Sequence, residues 1–146
     1  MLSSSMNILF GSDEKTSLTD SIYKWLTDSG HTVTLAGHLA DEDLKWHWAE
    51  IGLKIGKRVG TKEFDMGIGC CWSGTGVSLA ANKEKGARAI LAWDAETAKL
   101  ARKWDNANIL CFSLRYTSES LAQEILTAWF AEKFDEETLD QVKFLH

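Results

Sequence analysis

Gly67-Ile68-Gly69-Cys70-Cys71-Trp72-Ser73-Gly74-Thr75-Gly76-Val77-Ser78-Leu79-Ala80-Ala81-Asn82-Lys83 joins a short apolar strand, read over Phe64 to Cys70, to a helix opening at Val77. Between them lies a turn of small residues with a thiol at its first position and glycines at 74 and 76. A strand that ends in such a turn and opens a helix leaves backbone N–H groups without acceptors, and the helix dipole adds to their positive field. The turn therefore suits an anion, either a phosphate or an oxyanion that develops during a reaction. A cysteine placed there is expected to have a lowered pKa and to serve as a nucleophile or base. The competing reading is that Cys71 is a small hydrophobe closing a strand. The turn carries neither the phosphate loop GxxxxGK[ST] nor the dinucleotide fingerprint GxGxxG, and it is not the GxSxG elbow of hydrolases.

Outward from this stretch, strands and helices alternate. Met6 to Gly11 reads as a first strand, followed by a helix capped by Ser12 or Asp13 with Leu18, Ile22, Trp25 and Leu26 at helical spacing. His31 to Ala36 reads as a second strand and residues 37–43 as a loop. Leu44, Trp48, Ile51, Ile55 and Val59 mark a second helix that ends near Gly60. After the central stretch come a strand at Arg88 to Ala92, a helix started by Asp94, and a strand at Asn108 to Phe112. A helix lined by Leu121, Ile125, Trp129 and Phe130 follows. The tail from Asp135 is charged and reads as irregular or packed on a partner, and residues 1–5 are expected to be disordered. This alternation predicts a single α/β domain over 1–146, a three-layer Rossmann-like α/β/α sandwich around a five-stranded parallel sheet.

Ligands of such sheets sit at the carboxyl ends of the strands. The residues there are Ser12-Asp13-Glu14, Cys71-Trp72-Ser73, Trp93-Asp94, and Ser113 with Arg115. A carboxylate, a thiol, a donor-rich turn and an arginine should thus meet in one crevice, with Trp72, Trp93 and Trp104 beside it offering flat surface to a sugar. Trp25, Trp48 and Trp129 are read as core, as are Cys70 and Cys111. His31 and His38 are read as structural or solvated on the far side, and His47 as facing the crevice or merely decorating a helix.

The chain has 146 residues, a formal net charge of −5 and 45% hydrophobic residues. The acidic balance argues against a nucleic-acid partner, and no run reaches the ~18 apolar residues of a membrane helix. Cys70, Cys71 and Cys111 lack CxxC spacing, and no secretory signal precedes them, so reduced thiols and a cytoplasmic location are expected. No histidines or carboxylates show metal-ligand spacing, so no metal is expected.

From Ile8 to about Phe134 the chain resembles the type B ribose-5-phosphate isomerase and galactose-6-phosphate isomerase family. The resemblance rests on Gly11-Ser12-Asp13, on Gly74-x-Gly76-x-Ser78-x-Ala80-Ala81-Asn82-Lys83 behind Cys71, and on Asp94-x-Glu96-Thr97-Ala98-x-Leu100-Ala101-Arg102. Asn106-Ala107-Asn108-Ile109-Leu110 and Arg115 complete it. It implies a cofactor-independent aldose–ketose isomerase that works as a homodimer or dimer of dimers on a small sugar or sugar phosphate. In that family the residue matching Cys71 moves a proton between C1 and C2, and the turn stabilises the enediolate. The resemblance implies Cys71, Ser73 and Asp105 as catalytic residues. It implies Asp13, Glu14, Trp72, Gly74, Thr75, Gly76, Trp104, Asn106 and Arg115 as substrate-binding residues.

Several family positions differ. Glu14 stands where a phosphate-contacting histidine is usual, Trp104 where the ring-opening histidine is usual, and Trp72 where a glycine follows the cysteine. Lys45-Trp46-His47 replaces a Tyr-Pro-Asp segment, and the C-terminal phosphate-clamping arginines are missing, with only Lys143 and His146 nearby. A changed substrate is therefore expected: differently phosphorylated, unphosphorylated, or entering open-chain, with Asp105, Glu14 or His47 replacing the ring-opening histidine. The alternatives are a sugar-binding or regulatory homologue without catalysis, and a subunit that needs a related partner chain.

Overall fold

The computed structural model describes residues 5–43 and 46–145, so the expectations for residues 1–4, Leu44, Lys45 and His146 lie outside it. Five strands form one parallel sheet in the order β2-β1-β3-β5-β4: β1 Asn7–Ser12, β2 Thr32–Gly37, β3 Met66–Cys71, β4 Ala89–Leu91 and β5 Ile109–Ser113. Strand β3 runs between β1 and β5, with Gly69 opposite both Gly11 and Cys111, and all six of its residues are buried. This explains its nearly continuous apolar sequence, since a central parallel strand meets helices on both faces.

The period of two then divides the two adjacent cysteines between separate cores. Ile68 and Cys70 join Ile8, Phe10, Leu110 and Phe112 against α1 Ser17–Asp28, α4 Ala95–Asp105 and α5 Glu119–Ala131, where Trp129 is the largest fully buried side chain. Cys71 joins Leu9, Ile109 and Cys111 against α2 Trp48–Gly60 and α3 Thr75–Ala81. The expected three-layer α/β/α architecture is therefore the one observed.

Several local expectations change. The first helix is capped by Thr16, whose hydroxyl accepts the Thr19 N–H while its own N–H donates to the Thr19 hydroxyl, and not by Ser12 or Asp13. Those two residues are held earlier: the Ser12 hydroxyl donates to the Glu14 carbonyl and accepts the Glu14 N–H. Asp94 does cap α4, accepting the Thr97 N–H at 2.7 Å. The C-terminal tail is ordered as short helical turns, including α6 Leu139–Val142, and is tied to the end of α4 by Asp135 N–H to Lys103 O and Thr138 hydroxyl to Trp104 O. Ser5, expected to be disordered, donates its hydroxyl to the Gly30 carbonyl. His31 is buried: Nδ1 accepts the Met6 N–H, the ring lies 4.5 Å from that of Phe130, and burial lowers its pKa.

Candidate active site

At the carboxyl edge of the sheet, a cavity of about 450 Å³ is lined by Asp13, Trp48, Cys71, Trp72, Ser73, Thr75, Gly76 and Leu79. Four of these come from two strand ends, β1 and β3, and from the turn that follows β3, while Thr75, Gly76 and Leu79 belong to α3 and Trp48 opens α2. Cys71 is only 4% exposed, and its Sγ accepts the Gly74 N–H at 3.2 Å, which fixes the sulfur against the turn. Gly74 is the N-cap of α3 at φ 78°, and a Cβ there would fall 2.4 Å from Leu91 and 3.0 Å from the Phe112 backbone. Only glycine satisfies both the left-handed backbone and the close approach to β5. Having no side chain, it also provides no side-chain cap for α3. The Ser73 and Thr75 hydroxyls lie 2.7 Å apart and the Thr75 N–H reaches the Ser73 oxygen, so two hydroxyls are oriented together at the cavity wall.

Asp13 is half-buried opposite this turn, and its Oδ1 is buried without a hydrogen bond. Burial, reinforced by the neighbouring charge of Glu14, raises its pKa; His38 and His47 pull the other way. His38 therefore does not lie on the far side of the sheet: its N–H donates to Ser12 O at the same carboxyl edge. Glu14 is exposed, and His47 forms the N-cap of α2 with its N–H 3.4 Å from Glu50 Oε1.

The backbone carbonyl of Trp72 is held by the Ser113 hydroxyl and by the Arg115 N–H, which locks the ends of β3 and β5 together and places Arg115 beside the cavity mouth without lining it. The Trp72 side chain is left 60% exposed at the mouth. Trp48, read from its helical spacing as core, is instead 45% exposed and lines the cavity. A Cβ at Gly76 would come within 2.7 Å of its ring, so the indole rests against the turn backbone. Leu79, one helical turn further on, was not singled out by its sequence context. Nothing in a periodicity distinguishes a residue at a cavity lip from one in a core. Trp93 also sits at this edge, but edge-on to Tyr116 at 4.9 Å and outside the cavity lining.

Three expected site residues lie elsewhere. Trp104, Asp105 and Asn106 close α4 and precede β5, so they sit at the amino edge of the sheet, while Cys71 ends β3 at the carboxyl edge. The four-residue rise of β5 alone separates the two edges by roughly 13 Å. Asn106 adopts a left-handed conformation at φ 51° to end α4, and its carbonyl accepts from Arg88 Nε. Within one chain these residues cannot face the thiol. Trp104 and Asp105 end α4, and a helix running antiparallel to the strands ends at the wrong edge for a crevice shared with Cys71.

Residues 8–144 match the family model described as Ribose/Galactose Isomerase. The galactose-6-phosphate isomerase subunit LacB of Clostridium acetobutylicum is 33% identical over 113 residues, covering 77% of this chain and 64% of that one. The ribose-5-phosphate isomerase B of Escherichia coli is 37% identical over 73 residues, covering 50% of this chain and 49% of that protein. The matched region thus spans between about half and two thirds of these curated relatives. Among solved structures, ribose-5-phosphate isomerase B of Clostridium thermocellum superposes with a TM-score of 0.88 at 31% identity, covering 96% of this chain and 95% of that chain. The Thermotoga maritima ribose 5-phosphate isomerase does so with a TM-score of 0.86 at 28% identity, covering 96% and 97%.

Proposed function

Because the chain belongs to the ribose/galactose isomerase family, we propose that it interconverts an aldose and a ketose, with a sugar or sugar phosphate held in the Cys71 cavity. One observation carries this reading: a nearly buried thiol and an unpartnered carboxyl oxygen line the same cavity, next to a turn rich in N–H and O–H donors. Isomerisation needs three things there. A base must remove the proton from C2, donors must hold the negative charge that develops on the oxygens, and a second group must move a proton between O1 and O2.

Cys71, as thiolate, takes the C2 proton; the electron pair moves toward O1, forming a cis-enediolate. The same sulfur then returns a proton to C1 as O2 becomes the carbonyl oxygen. The first-turn amides of α3 with the Ser73 and Thr75 hydroxyls face the enediolate oxygens. Asp13 holds the sugar hydroxyls, and its raised pKa suits it to give a proton to O1 and receive one from O2. Trp72 and Trp48 supply apolar surface for the carbon face of the sugar. Glu14 and His47, whose charges both act on Asp13, are the groups of this chain available to open a ring at this edge.

Trp104 and Asp105 act, on this reading, only through a second copy of the chain. The surfaces that suit such a homodimer are apolar and exposed: Trp104 at 47%, Leu145 at 53% and Phe144 at 80%. The free thiols fit a reducing, cytoplasmic setting.

The test is deuterium incorporation from D₂O into ribose 5-phosphate, galactose 6-phosphate and their unphosphorylated counterparts. Exchange at C1 or C2 of at least one sugar, reduced about 10³-fold or more in Cys71→Ser, is expected. A protein that binds sugars without any exchange would instead be a binding or regulatory homologue.

A further inference from the structure

At the opposite edge of the sheet lies a second cavity, of about 440 Å³, lined by Val59, Gly60, Thr61, Lys62, Lys85, Gly86, Arg88, Asn106 and Asn108. It is as roomy as the Cys71 cavity and differs from it in charge. Lys62 and Lys85 are exposed on its rim, Arg88 is half-buried in its wall, and among the described residues none of these cations is in an ion pair. The nearest carboxylate in sequence to Lys62, that of Glu63, is committed to Arg58.

The wall itself is built to keep positive charge in place. The Arg88 guanidinium donates to the Asn106 and Gly86 carbonyls, and the Arg88 N–H and the Gly86 carbonyl are bridged by the Asn108 side chain. Behind Arg88 stands Arg102, which donates to the Ala107 carbonyl while its Nε is buried with no acceptor. Both guanidiniums are desolvated, and each would be easier to deprotonate than usual for that reason; Arg102 is further disfavoured by the charge of Arg88, with Glu132 acting the other way. Arg88, bonded to neutral carbonyls, shares the cavity lining with Lys62 and Lys85, which puts three cations around one cavity in a molecule whose net charge is −5. Carbonyl acceptors orient a guanidinium but do not neutralise it.

We propose that this cavity is a second ligand site, for a phosphate-type dianion, separate from the Cys71 site. The shared chemistry is a phosphoryl group, free as inorganic phosphate or carried on a sugar. Its wall includes the Asn106–Asn108 segment directly after Trp104 and Asp105, so an anion there bears on the turn that presents those two residues.

The experiment is a titration of the full chain with inorganic phosphate at constant ionic strength, followed by backbone amide NMR, and repeated with ribose 5-phosphate. Saturable shifts at Gly60–Lys62, Gly86 and Asn106–Asn108 are expected, with affinity about tenfold weaker in Lys62→Gln/Lys85→Gln and unchanged in Cys71→Ser. If only ribose 5-phosphate saturates this edge, the ligand is the sugar-borne phosphoryl group; if phosphate does so equally, the free anion suffices. Shifts confined to the Ser73–Gly76 turn, no saturation at this edge with either probe, or an affinity indifferent to the lysine substitutions would overturn the proposal. None of those results bears on Cys71 catalysis, which the deuterium exchange tests by itself.

Discussion

Asp13 shows how far a single residue's environment exceeds its identity. An aspartate after a first strand reads equally well as a helix cap, yet here Thr16 performs the capping and Asp13 is left with a buried, unbonded oxygen beside the thiol. Its carboxylate is held in the folded state against burial and the charge of Glu14, so the folded pKa lies above the ordinary value of 3.8. The folded state then binds more protons than the unfolded one in the window between those values, and folding stability falls as pH rises through it. We therefore expect Asp13→Asn to melt at a higher temperature than the parent at neutral pH, with the gap closing toward the acid end of the window. Deuterium exchange in the same variant should drop by about 10²-fold, because the amide cannot cycle a proton between O1 and O2. Thermal melts across pH, read beside the exchange rate, check both halves. A variant that is less stable at neutral pH would show that Asp13 is a structural residue.

The element that positions the thiol is the α2–α3 pair, and its closeness depends on glycine. A Cβ on Gly56 would sit 2.4 Å from the Ala81 carbonyl oxygen, and one on Gly52 would sit 2.6 Å from Val77 O. These contacts are backbone against backbone and have no side chain to swing away. Gly56→Ala gains about 1 kcal/mol in helix propensity, but the clash costs about 1–3 kcal/mol or more by displacing α3. A net loss of stability is expected, measurable as a lower urea midpoint, with a fall in exchange activity since α3 carries Thr75 and Gly76. An unchanged midpoint would mean that α2 and α3 are free to separate. The neighbouring helix α3 shows why Gly52 and Gly56 are required in α2.

At the scale of the whole molecule, one sheet separates two chemistries. The carboxyl edge holds the thiol cavity and the amino edge holds the arginine-walled cavity, with Trp104 and Asp105 at the wrong edge to serve Cys71 in the same chain. The homodimer proposed above would resolve this, and the tail is where it can be tested. Leu145 lines a cleft with Asp105, and Phe144 is 80% exposed, so replacing both by aspartate removes little that is buried within the chain. We expect Phe144→Asp/Leu145→Asp to keep its melting temperature at high dilution while sedimenting as a monomer and losing isomerase exchange. A double variant that still sediments as the parent does, with full exchange, would remove the tail from the assembly.

Much of this was legible in the chain. Strand–helix alternation and the all-apolar run before Cys71 determined a parallel α/β sheet, because side-chain periodicity and burial are local consequences of order in sequence. The same order placed Asp13, Cys71 and the Ser73–Gly76 turn together, since every parallel strand ends at the same edge. What order could not decide was which partner each residue meets across space. Trp48 has the spacing of a core residue but lies at a cavity wall, because Gly76 leaves room for its ring. His38 stands near Asp13 because β2 ends beside β1. Trp104, Asp105 and Asn106 are assigned to the site with the thiol by the family resemblance but lie a sheet's depth away, because α4 returns antiparallel to the strands. The chain's own order determined the layers and one edge; distance across the sheet, which only tertiary structure sets, decided which residues share a site.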